Sequence, residues 1–108
     1  MKVRRLQRLN EEEQWEDHGY AYEREDGRAS FRYNNLVLGQ IGARYNVQLR
    51  KAQTKLEDVS QVIPATKRLR WLEIEEIPGD PAEIKARLDD ACHIPRPQKV
   101  TKVVSRAA

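Results

Sequence analysis

Apolar and polar positions alternate on both sides of one turn dipeptide. Tyr20 to Glu25 and Arg28 to Tyr33 flank Asp26-Gly27, a pair that suits the positive φ angles of a two-residue hairpin turn. In that register Tyr22 lies opposite Phe31 and Tyr20 opposite Tyr33. Four of the five Tyr and Phe rings then share one face, and Ala21, Glu23, Ser30, Arg32 and the Glu25/Arg28 pair share the other. Such a ring face serves either as a core surface beneath a helix or as a stacking platform for nucleobases.

Other segments carry shorter signals. Asn10 and Glu13 have the spacing of a capping box, which predicts a short helix from Glu11 to Asp17. Residues 2–9 fit two patterns: Val3, Leu6 and Leu9 recur every three positions, while Val3, Arg5, Gln7 and Leu9 alternate as on an edge strand. From Leu38 through Ile41, Tyr45, Leu49, Ala52, Leu56 and Val59 to Ile63, apolar residues recur at helical intervals. Ala43 to Arg50 also alternates as a strand would. Composition favours helix from Gln48 onward, ended by Pro64. Lys67 to Ile77 reads as a strand closed by Pro78-Gly79. Asp80, Pro81 and Glu83 then supply an N-cap, a first-turn proline and a capping glutamate for a helix whose Ile84, Leu88 and Ala91 face inward. Residues 95–108, with two prolines and four basic residues, read as a mobile tail following a single domain over 1–94.

Composition restricts the core. Leu, Ile, Val and Phe make up 24 of 108 residues, just above the content at which a charged chain stays disordered. Association with itself or with a partner would add stability, so a homo-oligomer fits this composition. A single cysteine excludes an internal disulfide. The longest uncharged apolar stretch, 33–43, is too short to span a bilayer, so no membrane anchor is expected. The N-terminus meets three glutamates where a signal peptide needs an apolar run, and the expected compartment is cytoplasmic.

Charge is unevenly placed. Residues 10–26 carry eight acids against Arg24 alone, whereas 27–56 carry Arg28, Arg32, Arg44, Arg50, Lys51 and Lys55 with no acid. The last eighteen residues add four bases, again without an acid. Such stretches suit a polyanion or an acidic protein surface, or are balanced in three dimensions by the acidic stretch.

Residues 38–56 include one chemically suggestive run. Ile41-Gly42 gives an apolar residue followed by a small one, Tyr45 another apolar position, Asn46 a turn residue tolerant of left-handed geometry, and Ala52 a small buried position. This run resembles the helix-turn-helix DNA readers, with Asn46 standing where glycine is usual and Lys55 where an apolar residue is common. The resemblance implies a second helix exposing Gln48, Arg50, Lys51, Gln53, Thr54 and Lys55 to phosphates and base edges, with Arg44 nearby. Catalytic chemistry is less well supplied. Cys92 and His93 are neighbours that diverge by about 100° on a helix, and they form no nucleophile and base pair through adjacency. Glu16-Asp17-His18 can orient an imidazole, and no metal-ligand spacing is present.

These readings together give a small α+β domain with an antiparallel hairpin, a central basic amphipathic helix or helix pair, a further strand and a C-terminal helix. No enzyme activity, metal or cofactor is expected. The expected function is nucleic-acid binding by an accessory or regulatory protein, the alternative being a protein-interaction module that docks on a larger complex.

Overall fold

The computed structural model describes residues 1–37 and 53–95. Its centre is an antiparallel sheet of β1 (Lys2–Leu9), β2 (Trp15–Glu23), β3 (Ala29–Tyr33), β4 (Leu69–Trp71) and β5 (Glu75–Glu76). The order is β3-β2-β1-β4, with β5 pairing β1 beyond β4. The helix α1 (Pro81–Ala91) packs on the sheet. The α+β class expected from the sequence is therefore present. Residues 38–52, most of the helix-turn-helix-like run of 38–56, lie outside the described residues, as does the tail from 96 onward.

The hairpin forms at Asp26-Gly27 in a different register. Gly27 N donates to Arg24 O at 3.0 Å and Arg24 N to Arg28 O at 2.8 Å, so the loop has three residues, Gly27 taking φ +85° as in a turn closed by a bulge. Asp26 reinforces it by accepting from Arg28 N at 3.0 Å. That hydrogen bond, followed by the charge of Arg24, holds the Asp26 carboxyl below its ordinary value. The extra loop residue moves each partner by one: Tyr20 faces Arg32, Ala21 faces Phe31 and Tyr22 faces Ser30. A one-residue shift exchanges the faces, so the four rings do not share one.

Both faces of the sheet are consequently covered. Tyr20 joins Val3, Ile84, Leu88, Cys92 and Ile94 under α1, with Tyr22 at the margin. On the opposite side Leu6, Val37, Ile63 and Leu69 pack with Phe31, Tyr33 and Trp71. Ala21, Ala29, Leu56 and Val59 form an adjoining cluster. Each large apolar side chain buried in these layers contributes roughly 1.5–3 kcal/mol before entropy is set against it. The rings serve as core, and the stacking-platform reading has no open ring face to stand on.

Four further expectations need correction. β1 is central, paired with β2 on one side and β4 and β5 on the other, not an edge strand. The Asn10 signal makes a turn in place of a helix: its Oδ1 accepts from Glu12 N and Gln14 N, both at 2.8 Å, and Trp15 already begins β2. The helix expected to run to Ile63 does not include Lys55, which is extended at φ −81°, ψ 162°, and a 3₁₀ helix occupies Leu56–Gln61 instead. The strand over 67–77 is broken between β4 and β5.

The C-terminal helix forms where its caps place it. Asp80 accepts from Glu83 N, and Pro81 opens the first turn. At the other end Ile94 N donates to Asp89 O at 2.9 Å and His93 N to Asp90 O at 3.2 Å, while His93 takes φ +56°. This is a Schellman termination with histidine at the position glycine usually holds. Ile84 and Leu88 are buried as expected, whereas Ala91 is exposed and Cys92 takes the inward place.

Candidate functional site

A register shift between Leu6 and Gln7 leaves His18 as the extra residue of β2 and turns its ring inward, where it is 4% exposed. Asn34, at the end of β3, is buried beside it. The Asn34 amide orientation is fixed from two sides. Its Oδ1 accepts from Leu36 N at 3.0 Å, and its Nδ2 donates to Cys92 O at 2.9 Å. Nδ2 also lies 2.6 Å from His18 Nδ1, so that ring nitrogen accepts and the proton sits on Nε2, which donates to Glu16 Oε1 at 3.1 Å. The bond from His18 comes first among the causes that hold the Glu16 carboxyl below its ordinary value. The sequence indicated the Glu16-Asp17-His18 run as able to orient an imidazole, and the structure selects Glu16. The sequence carried no sign of Asn34, whose contacts reach across 16 and 58 residues.

This cluster joins β2, β3 and the end of α1, and its chemistry is structural. Cys92 is fully buried, and burial pushes its thiol up to about 12, the reverse of what a nucleophile requires. We expect Cys92 to resist thiol reagents near neutral pH in the folded protein and to react once denaturant is added. Rapid labelling without denaturant would contradict this burial. His93 is exposed and left-handed, so the Cys92-His93 neighbours do point apart. Among the described residues no group of three His, Cys, Asp or Glu is placed to hold a metal ion.

A second polar array lies beyond α1 on the same face of the sheet. Arg70 stacks 4.3 Å from the centre of the Trp15 ring, and its Nε donates to Gln7 at 2.9 Å. Gln7 donates to Asp17 at 2.8 Å, and Arg5 contacts Asp17 at 3.2 Å and Glu75 at 3.0 Å. The strip is mixed in charge and partly open to solvent, which fits a polar rim.

Of the residues expected to contact nucleic acid, Arg44, Gln48, Arg50 and Lys51 lie outside the described residues. Gln53 and Lys55 are exposed, and Thr54 is half-buried. Thr54 O accepts from Ala29 N at 2.8 Å, holding this segment against β3. These three residues are not helical.

The fold and these clusters define a small two-faced α+β domain whose buried polar groups tie strands to helix. Comparison of the chain with protein-family models, curated proteins and solved structures gives no match. Among the described residues no helix is long and apolar enough to cross a membrane.

Proposed function

We propose that the chain is a non-enzymatic, nucleic-acid-binding accessory or regulatory protein that meets the polyanion through its acid-free basic segments. The distribution of charge along the sequence carries this reading: residues 27–56 hold six bases and residues 91–108 four, with no acid in either stretch. Segregation of this kind lets basic side chains displace counterions from phosphates without an acid beside them. A cytoplasmic setting goes with the reading, since the one cysteine is buried and unpaired.

Arg50→Glu with Lys51→Glu is the test. Binding to duplex DNA and to single-stranded RNA is measured at two salt concentrations. The double variant should bind at least about tenfold more weakly, with a salt slope smaller by about 2, at an unchanged melting temperature. Unchanged affinity for both nucleic acids would defeat the proposal. The protein-interaction alternative would then lead, supported by the mixed-charge strip from Trp15 and Arg70 to Glu75.

A further inference from the structure

Residues 67–76 have a reversed symmetry of charge. Counted inward from the two ends, Lys67 matches Glu76, Arg68 matches Glu75 and Arg70 matches Glu73, while Leu69 matches Ile74 and Trp71 matches Leu72. The structure places this segment at an outer edge of the sheet. β4 and β5 pair with β1 on one side and, among the described residues, with no strand on the other. Leu72 N donates to Arg5 O and Ile77 N to Met1 O, both at 2.9 Å, so the neighbouring Trp71 and Glu76 turn their N–H and C=O groups outward. Lys67, Arg68, Arg70, Glu73, Ile74 and Glu76 are exposed. Ile74, at 39%, is one of two large apolar side chains left exposed among the described residues.

We propose that a second copy of this chain docks antiparallel along the β4–β5 edge, about a two-fold axis between Trp71 and Leu72. An isologous contact requires a surface complementary to itself. This edge meets that condition because reversing its direction exchanges every base for an acid and leaves apolar residues opposite apolar ones. Charges on an edge strand ordinarily prevent strand addition. Here their separation into a basic half and an acidic half repels a parallel copy and attracts an antiparallel one.

The pairing between β1 and this edge shifts by one residue between Trp71 and Glu75, which interrupts a long backbone ladder. Side-chain pairs therefore carry most of the association, and salt weakens it. Arg70 is already stacked on Trp15, Glu75 is held by Arg5 and Glu76 by the N-terminal amine. Lys67 and Glu73 have no ion-pair partner among the described residues. In the dimer Glu73 gains the partner copy's Arg70, and the 70/73 pair occurs twice.

The test is mass by sedimentation equilibrium, at low ionic strength and at about 1 M salt, where the Debye length falls to about 3 Å. The wild-type chain should move from 12.6 kDa toward twice that mass as concentration rises at low salt, and the shift should fade at high salt. Glu73→Lys and Arg70→Glu each set like charges opposite each other and should remain monomeric. An equimolar mixture of the two restores both opposite-charge pairs and should form a one-to-one dimer. Glu73 is exposed and makes no ion pair among the described residues, so Glu73→Lys alone decides the matter if Arg70→Glu fails to fold. A wild-type chain that stays monomeric at every concentration, or a folded Glu73→Lys variant that dimerises like wild type, overturns the proposal. So does failure of the two folded variants to associate when mixed.

Discussion

Asn34→Ala should lower the free energy of unfolding by about 3–5 kcal/mol, measured by urea denaturation against Asn35→Ala as a control. Asn34 is buried, and its side chain serves four groups. The amide nitrogen contacts His18 Nδ1 at 2.6 Å and donates to Cys92 O at 2.9 Å, while Oδ1 accepts from Leu36 N at 3.0 Å and Val37 N at 3.4 Å. Removal strands an imidazole nitrogen and a carbonyl in the interior, each costing about 1–3 kcal/mol, and uncaps the helical residues 35–37 for about 1 more. Asn35 is exposed, and its replacement should stay within about 0.5 kcal/mol. Asn34→Asp preserves shape but sets carboxylate oxygen against the Cys92 carbonyl, so it should not rescue. A loss below about 1 kcal/mol in Asn34→Ala would show that water replaces these partners.

What the sequence made legible follows the range of each interaction. α1 was readable because Asp80, Pro81 and Glu83 act on their own first turn. The existence of the β2–β3 hairpin was equally local, resting on Asp26-Gly27. Its register was not, since Gly27 serves a three-residue loop as well as a two-residue one, and that single residue decides which rings lie under α1. Asn10 shows the same ambiguity in another form. An asparagine that accepts backbone N–H bonds caps a helix or closes a turn, and the turn prevails because Trp15 pairs with Leu9 in the sheet. The central place of β1 depends on β4 and β5, more than fifty residues away, which periodicity over eight positions does not encode.

The buried cluster was less accessible still. Glu16, Asp17 and His18 were grouped by adjacency, and only the strand, which sets residues two apart on one face, selects Glu16 as the partner of His18. Asn34 and Cys92 meet them only after β3 and α1 have packed. The expected nucleic-acid contacts divide differently: the helical stripe through Ala52 and Leu56 put Lys55 on a helix, yet Thr54 O accepts from Ala29 N and Lys55 is extended. Tertiary pairing overrides local propensity there.

Asp89→Leu is the second large effect expected, a loss of about 2–4 kcal/mol. The Asp89 carboxylate is 7% exposed and accepts from Arg32 Nε at 2.9 Å, and from the buried Tyr20 hydroxyl at 2.7 Å, so one group on α1 fastens both β2 and β3. Burial, reinforced by this hydrogen bond to Asp89, pushes the Tyr20 phenol upward, and the hydroxyl remains a donor across the working pH range. Removing the acceptor leaves the guanidinium without its partner and the hydroxyl with only the long 3.5 Å bond to Lys85 O. The loss stays below that of a fully enclosed pair because Arg32 is 31% exposed and reaches water. Replacing all three polar groups should behave differently. Tyr20→Phe, Arg32→Leu and Asp89→Leu together leave no stranded polar atom, and the combined variant should regain most of the stability lost in Asp89→Leu alone. Urea denaturation of the single and triple variants compares the two states directly. If the triple variant is no more stable than the single one, helix docking depends on the shape of the Asp89 site, and satisfaction of its polar neighbours is not the cause.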